Sequence, residues 1–462
     1  MKSSNFKNSK RLWALSMAAC LSVMAVGCGK DPASSDKDNG NSTTASDTDK
    51  PSSSNNDNNA AVIDSISDVS FKLFNSYYSN ADSKNIVLSP LSAEMLTAMV
   101  YESTNGDTKT QIADTLGIDD AYCVKLRSAM SSQDDILKMS NHIRLVEAYE
   151  SAMKSDYREL LTESYKASIG KLDSNSVDEI NGIVSKETDG LIGDILKQGD
   201  LDGVDVFEMN CCAFNGDWVT PFNGAREAVF RDNDNYYLVD MLEDTYTNMR
   251  TSSDVKYIES NELGCYGITK DYVDSNGNEA RYKFVGLLPD EGKRLSDVIA
   301  KLSGDAVEKM INSDVDYWTI EADDHKLDVM IPKFKIDNKF SVDELYKSMG
   351  VTNIFSDQAD MSKGFDSALH VDKIDQVATI ELNEMGTKAA AVTYATCEGA
   401  ALERTEAFIR QVYFNRPFVY MIYDTKTNSV AFIGTVGEFE EKAAAEDVKK
   451  QWLDDHHTGM VR

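Results

Sequence analysis

Directly after the alternating segment VATIELNE the chain carries GTKAAAVTYATCEGAALERTEAF, from Gly386 to Phe408. Alanine is the best helix former, so a helix is one reading. A strand is the other. In a strand, alternate residues face one way. One parity is Thr387, Ala389, Ala391, Thr393, Ala395, Cys397 and Gly399, all small and uncharged. The other is Lys388, Ala390, Val392, Tyr394, Thr396 and Glu398, with both charges and the one aromatic ring. A strand sliding into a preformed sheet needs this division. A slip of one residue would bury Lys388 and Glu398, which is expensive. A helix accounts for the alanines but not for the parity. On these residues alone both readings stay open.

The rest of the chain decides what such a segment could enter. Its 462 residues are 42% hydrophobic, enough for a substantial core. Lys and Arg number 47 against 77 Asp and Glu, a net charge of −30. That field repels phosphate backbones, so nucleic acid is not an expected partner.

The first 28 residues read as an address. Lys2, Lys7, Lys10 and Arg11 precede an apolar run from Leu12 to Val26, too short for a confident membrane span. The run ends in AVGC at Cys28. This resembles a bacterial lipoprotein signal, with Cys28 as the lipidated new N-terminus, although Ala25 departs from the usual larger aliphatic residue. An ordinary secretory signal is the alternative. Residues 29–59 are Ser, Asn, Asp, Thr and Gly with almost nothing apolar, which reads as a disordered tether. The folded domain is expected over 60–439, and 440–462 as a charged tail, either a surface helix or disordered. Cys123, Cys211, Cys212, Cys265 and Cys397 are odd in number and irregularly spaced, which argues against a disulfide framework.

Ile63, Ile66, Leu73, Phe74 and Tyr77 recur at helical spacing. Ile86–Leu88 is a short apolar strand, and Ser89 and Pro90 read as an N-cap and first-turn proline. Leu91, Met95 and Met99 continue a buried helical stripe. Further helices are expected to about Gly199. After Asp205 the texture turns to strands: VFEMNCCAF, ARYKFVGLLP, HKLDVMIPKFKI with a proline suited to an edge or bend, VATIELNE, and two final strands in RPFVYMIYDTKTNSVAFIGTV. Helices early and strands late predict an α+β domain with mostly antiparallel or mixed sheets.

Enzyme motifs are missing. The chain has no G-x-S-x-G, no H-E-x-x-H and no C-x-x-C. GLLPDEGKR has the wrong spacing for a phosphate loop. DSNGNE has Glu279 where a calcium loop turns on glycine. His142, His325, His370, His456 and His457 lie in no local catalytic signature.

Five segments resemble the serpin family, in order, over essentially all of Ala60 to Phe439. They are NIVLSPLSAEMLTAMVYESTNGDTKTQIADTLGI, NCCAFNGDWVTPF, MIPKFKI, LNEMGTKAAA and FNRPFVYMIYD. The resemblance implies an α+β serpin fold with three β-sheets, about nine helices and an exposed reactive-centre loop on a metastable native state. It implies a suicide inhibitor of serine proteases rather than an enzyme, a monomer with no cofactor or metal, held to the membrane only through the lipid anchor at the cell surface or else secreted. The target cleaves the loop as a covalent acyl-enzyme, and the loop inserts into the central sheet. Glu384 would begin the hinge, Gly386 supply the bend, Thr387 be the first inward side chain, and Ala389, Ala390 and Ala391 form the small-residue run. Asn85, Ser89, Ser92 and Asn210 match the region beneath the opening sheet, and Trp218 the point where insertion begins. Gln376 stands where the family usually has histidine, and Lys388 where it often has glutamate. The family's interval puts the reactive bond between Ala400 and Ala401, with Leu402 and Arg404 as alternatives for the residue before the cut. Alanine there fits elastase-like or subtilisin-like targets. The competing reading is a serpin without inhibitory activity, acting as a binding or carrier protein.

Overall fold

The computed structural model describes residues 66–81, 83–131, 136–232, 235–247, 254–273, 279–313, 325–387, 408–440 and 447–450. The helix signalled by spacing is α1 (Ile66–Asn80), which buries Leu73 and Phe74. β1 (Ile86–Leu88) follows where the apolar triplet sits. Ser89 then caps α2 (Pro90–Ser103): its backbone is extended, its hydroxyl accepts the Ser92 N–H, and Pro90 occupies the first turn. Every residue of α2 is buried, so this helix lies inside the molecule rather than along its surface.

The helices α3 (Gly106–Leu116), α4 (Asp120–Ser131), α5 (Glu147–Ala152), α6 (Ser155–Ser164) and α7 (Ser176–Glu187) bear out the helical reading of this half. Two strands do not: β2 (Leu137–Leu145) and β3 (Ala167–Lys171) lie where only helices were expected. The reason is visible in β2. Its polar residues Ser140, His142 and Arg144 are buried, with Arg144 hydrogen-bonded to Glu179 of α7 at 3.2 Å. A strand covered on both faces carries no alternation.

β4 (Val206–Phe214) is likewise buried throughout. Cys211 packs with Val177, Ile180 and Val184 of α7, while Cys212 joins the main core, so the adjacent cysteines take opposite faces. There follow β5 (Gly216–Trp218), β6 (Gly224–Asp232), β7 (Asn235–Thr247), β8 (Val255–Ser260), β9 (Cys265–Val273) and β10 (Glu279–Pro289). Then come α8 (Leu295–Ile299), α9 (Gly304–Asn312), β11 (His325–Pro332), β12 (Phe334–Ser341) and α10 (Val342–Met349). The run HKLDVMIPKFKI is therefore two strands, broken after Pro332, and they belong to different sheets. The chain continues through a 3-10 turn (Asn353–Phe355), β13 (Lys373–Leu382), β14 (Gly386–Thr387), β15 (Phe408–Tyr413), β16 (Phe418–Asp424) and β17 (Ser429–Val436).

These strands form three sheets. One has five strands in the order β12-β13-β4-β2-β3. One has eight, along β1-β17-β16-β10-β9-β5-β14 with β8 beside β9. The third has four, β15-β11-β7-β6. The α+β architecture with three sheets is the expected one, with ten α-helices and the 3-10 turn among the described residues instead of about nine helices. Within the tail, residues 447–450 are helical and Val448 is buried. No helix among the described residues is long and apolar enough to cross a membrane.

Candidate functional site: a docked hinge above a strand slot

β13 runs parallel to β4, its neighbour in the five-stranded sheet, with Gln376 opposite Asn210 and Ala378 opposite Cys212. The flanking pairs, β12 with β13 and β4 with β2, are antiparallel. A segment that turned back from the end of β13 would run antiparallel to both β13 and β4. Parallel pairing is slightly weaker per residue than the antiparallel pairing that would replace it.

The segment leaving β13 makes such a turn. The Asn383 side-chain oxygen accepts the N–H groups of Met385 at 2.9 Å and Gly386 at 3.3 Å. The Asn383 N–H donates to the Gly386 carbonyl at 3.0 Å. β14 then pairs antiparallel with β5, Gly386 opposite Asp217 and Thr387 opposite Gly216. Gly386 has no alternative here, because a Cβ on it would stand 2.1 Å from the Gly216 carbonyl oxygen. Thr387 is 0% exposed, and its hydroxyl meets the Tyr272 hydroxyl at 2.7 Å.

Trp218 and Phe222 hold the turn from below. The Trp218 N–H donates to the Met385 carbonyl at 2.8 Å and the Phe222 N–H to the Glu384 carbonyl at 2.9 Å. The Trp218 indole N–H reaches the Asn383 carbonyl at 3.1 Å. Its ring stacks on Tyr272, with centroids 4.4 Å apart. Glu384 forms an ion pair with Lys333.

A second polar group lies beneath the sheet. The Gln376 side chain bridges the Ser89 backbone, accepting its N–H at 3.0 Å and donating to its carbonyl at 2.7 Å. The Ser89 hydroxyl donates to the Ala431 carbonyl at 2.7 Å. The Ser92 hydroxyl donates to Asn210, whose amide donates to Asn141 at 2.6 Å. Asn141 in turn donates to the Tyr165 carbonyl at 2.7 Å. These residues are buried, so each polar atom needs such a partner.

The residues singled out in the sequence therefore fall into two groups. Glu384, Gly386, Thr387 and Trp218 meet at the turn, and Ser89, Ser92, Asn210 and Gln376 meet under the slot. Asn85 joins neither. Its side chain is bound to the backbone of Gly437 and Glu438 beyond β17. Cys28, Ala389, Ala390, Ala391, Ala400, Ala401, Leu402 and Arg404 lie outside the described residues. Three buried residues beside these groups carried no signal in the sequence: Asn141, bonded to Asn210; Glu208, on β4; and Lys270, over the Trp218 ring. Glu208 lies on β4, and its Oε2 has no hydrogen-bond partner among the described residues; burial pushes its carboxyl up to about 8.

A family model described as serpin (serine protease inhibitor) matches residues 64–438. The chain belongs to the serpin family. Its three sheets and α+β organisation are the serpin fold. It is 28% identical over 386 residues to a serine protease inhibitor of Cyanea capillata, covering 80% of this chain and 96% of that protein. It is 26% identical over 388 residues to corticosteroid-binding globulin of Homo sapiens, covering 80% and 88%. The crystal structure of the thermophilic serpin tengpin in its native state aligns with a TM-score of 0.65 at 27% identity, over 84% of this chain and 97% of that one. Relatives of this serpin thus include proteins named as protease inhibitors and proteins named for binding corticosteroids. Serpins in general are inhibitors of proteases and not enzymes.

Proposed function

We propose that this serpin is a suicide inhibitor of serine proteases that traps its target by inserting the cleaved loop between β13 and β4. The observation that carries the reading is an agreement of registers. Continuing the β14–β5 pairing sets Thr393 opposite Asn210. Continuing the Asn383–Gly386 bond sets Thr393 opposite Gln376. β13 and β4 already hold Gln376 opposite Asn210. In that register Ala391 enters between Cys212 and Ala378, and Ala395 between Glu208 and Ile374. Asn210 bonds Ser92 of α2 on the inner face. Cross-strand partners share a face, so the inward set is Thr387, Ala389, Ala391, Thr393, Ala395 and Cys397, the small uncharged parity.

In the reaction, the protease serine attacks the Ala400 carbonyl. An ester forms, the Ala400–Ala401 peptide bond breaks, and the Ala401 amine leaves with a proton. The 15 residues from Gly386 to Ala400 then extend along the slot for about 50 Å, carrying the acyl-enzyme with them. Alanine before the cut suits the shallow primary pocket of an elastase-like or subtilisin-like enzyme. Incubation with a panel of serine proteases should yield an SDS-stable complex on a gel. Mass spectrometry of the released fragment should begin at Ala401. A fragment beginning at Thr405, with trypsin trapped faster than elastase, would move the bond to Arg404; one beginning at Glu403 would move it to Leu402.

The second reading is a carrier, favoured by the relatives named corticosteroid-binding globulin. One cavity among the described residues, of about 260 Å³ at β8–β10 and α9, is lined by Asp254, Lys256, Thr269, Asp271, Lys283 and Asn312 beside Ile311, a polar lining that does not itself support this reading. Loop cleavage by every protease without any stable complex would favour the carrier. Cys28 is the proposed lipid anchor, with 29–59 as the tether that holds the domain off the membrane.

A further inference from the structure

β9 buries a lysine in an aromatic setting where an apolar residue is ordinarily found. Lys270 is 0% exposed. Its ammonium donates to Asp254 Oδ2 at 2.9 Å and to the Tyr246 hydroxyl at 3.3 Å. It stands over three ring faces, 5.5 Å from the centre of Trp218, 5.2 Å from Phe222 and 5.2 Å from Tyr246. Burial pulls Lys270 below the ordinary lysine range, while Asp254, Asp244 and Asp271 oppose that shift. Asp254 also accepts the Thr220 N–H at 3.0 Å, between the two caged rings in sequence.

Two of those rings belong to the residues that seat the hinge. Trp218 and Phe222 supply the backbone N–H groups bound to the Met385 and Glu384 carbonyls. Trp218 also stacks on Tyr272, the partner of Thr387. One cation therefore sits under both anchor points. Removing it would free two rings and the strand end that carries them, without touching the hinge itself.

We propose that Lys270, paired with Asp254, is a positioning residue for the hinge: it clamps Trp218 and Phe222 so that Thr387 is held seated at the mouth of the slot. What the seated hinge does next rests on the inhibitor reading above; the seating itself does not.

The test is hydrogen exchange of the full chain at rest, without protease. Lys270→Met keeps the volume, and pairing it with Asp254→Asn avoids leaving a carboxylate buried alone. Peptides covering residues 216–222 and 383–387 should exchange at least tenfold faster in the double variant, while peptides from β10 and β16 are unchanged. Unchanged exchange at the hinge, or equal acceleration in β10 and β16, overturns the proposal. If the double variant does not fold, Asp254→Asn alone should accelerate the same two segments at least threefold, and no acceleration there overturns it. With a protease that wild type traps, the double variant should also need at least twice the stoichiometry at an unchanged rate of loop cleavage. Fast hinge exchange in a protein that traps no protease would defeat the inhibitor reading and leave the clamp standing.

Discussion

Glu208 is a glutamate in a core position, 2% exposed, opposite Ile143 of β2 in the sheet register and opposite no charge. Its carboxyl is pushed up by burial from 4.5 to about 8. Glu94 on α2 is raised to about 7 by burial, against the hydrogen bonds it accepts from Ser70 and Tyr122. Both groups hold their protons more tightly folded than unfolded. Their contribution to stability is complete below the ordinary glutamate pKa and is lost as pH rises, until the folded carboxyls ionise near 7 and 8. Glu208→Leu should therefore stabilise the native state at pH 8 by on the order of 4 kcal/mol at the upper limit, with the difference shrinking by about 1.4 kcal/mol per pH unit on going down. Denaturant unfolding at several pH values measures this, and a difference independent of pH would refute the assignment. At Gly386 the constraint is steric. Gly386→Ala forces its Cβ against the Gly216 carbonyl and should unseat Thr387. Exchange protection of the 383–387 segment should fall while the core peptides keep theirs; retained protection would show that the backbone absorbs the methyl.

At the scale of elements, the decisive pair is β13 and β4. They are paired in parallel, so a strand that parted them would run antiparallel to both, and the hinge is already turned in that direction. Thr387 is already buried against Tyr272, so Thr387→Arg should unseat the hinge in the intact protein, and insertion would then have to bury the charge at a cost of several kcal/mol. Insertion should slow relative to hydrolysis of the acyl-enzyme, and the protein should become a substrate. Titration against a trapped protease reads this as a rise in stoichiometry; an unchanged value would rule out insertion as the trap. Elements were legible in the sequence where one period dominated. α1 shows helical spacing, β13 alternates, and the Ser89–Pro90 cap marks the start of α2. β2 was illegible because α7 packs on it, so buried Ser140, His142 and Arg144 sit where alternation would put exposed residues, and β3 is a five-residue strand, ASIGK, with only Ala167 buried. The same loss of period concealed Asn141, and with it part of the polar group under the slot.

At the scale of the whole molecule, the inhibitor reading requires the paired β13 and β4 to part and admit a strand of the chain's own loop. Cleavage of the loop by a protease that is not trapped should let that strand enter. The cleaved protein should then melt well above the intact one; equal melting temperatures would argue that the slot does not open. Cys28→Ser should move the protein from the membrane fraction to the soluble one, and a wild-type protein found in the medium with an unmodified terminus would defeat the anchor. What depends on neighbours in the chain can be read from the residues: the first helix, the cap of α2, the alternation of β13, the glycine at the turn and the small parity that follows it. Side-chain periodicity is a local property, so it survives in a linear string. Tertiary structure alone decided that β13 lies parallel to β4, that Thr387 is already seated on β5, that Asn85 belongs to the end of β17, and that Lys270 and Glu208 are buried. Each of these depends on segments far apart in the chain meeting in one register, and a charged residue's burial is set by what the rest of the fold packs around it.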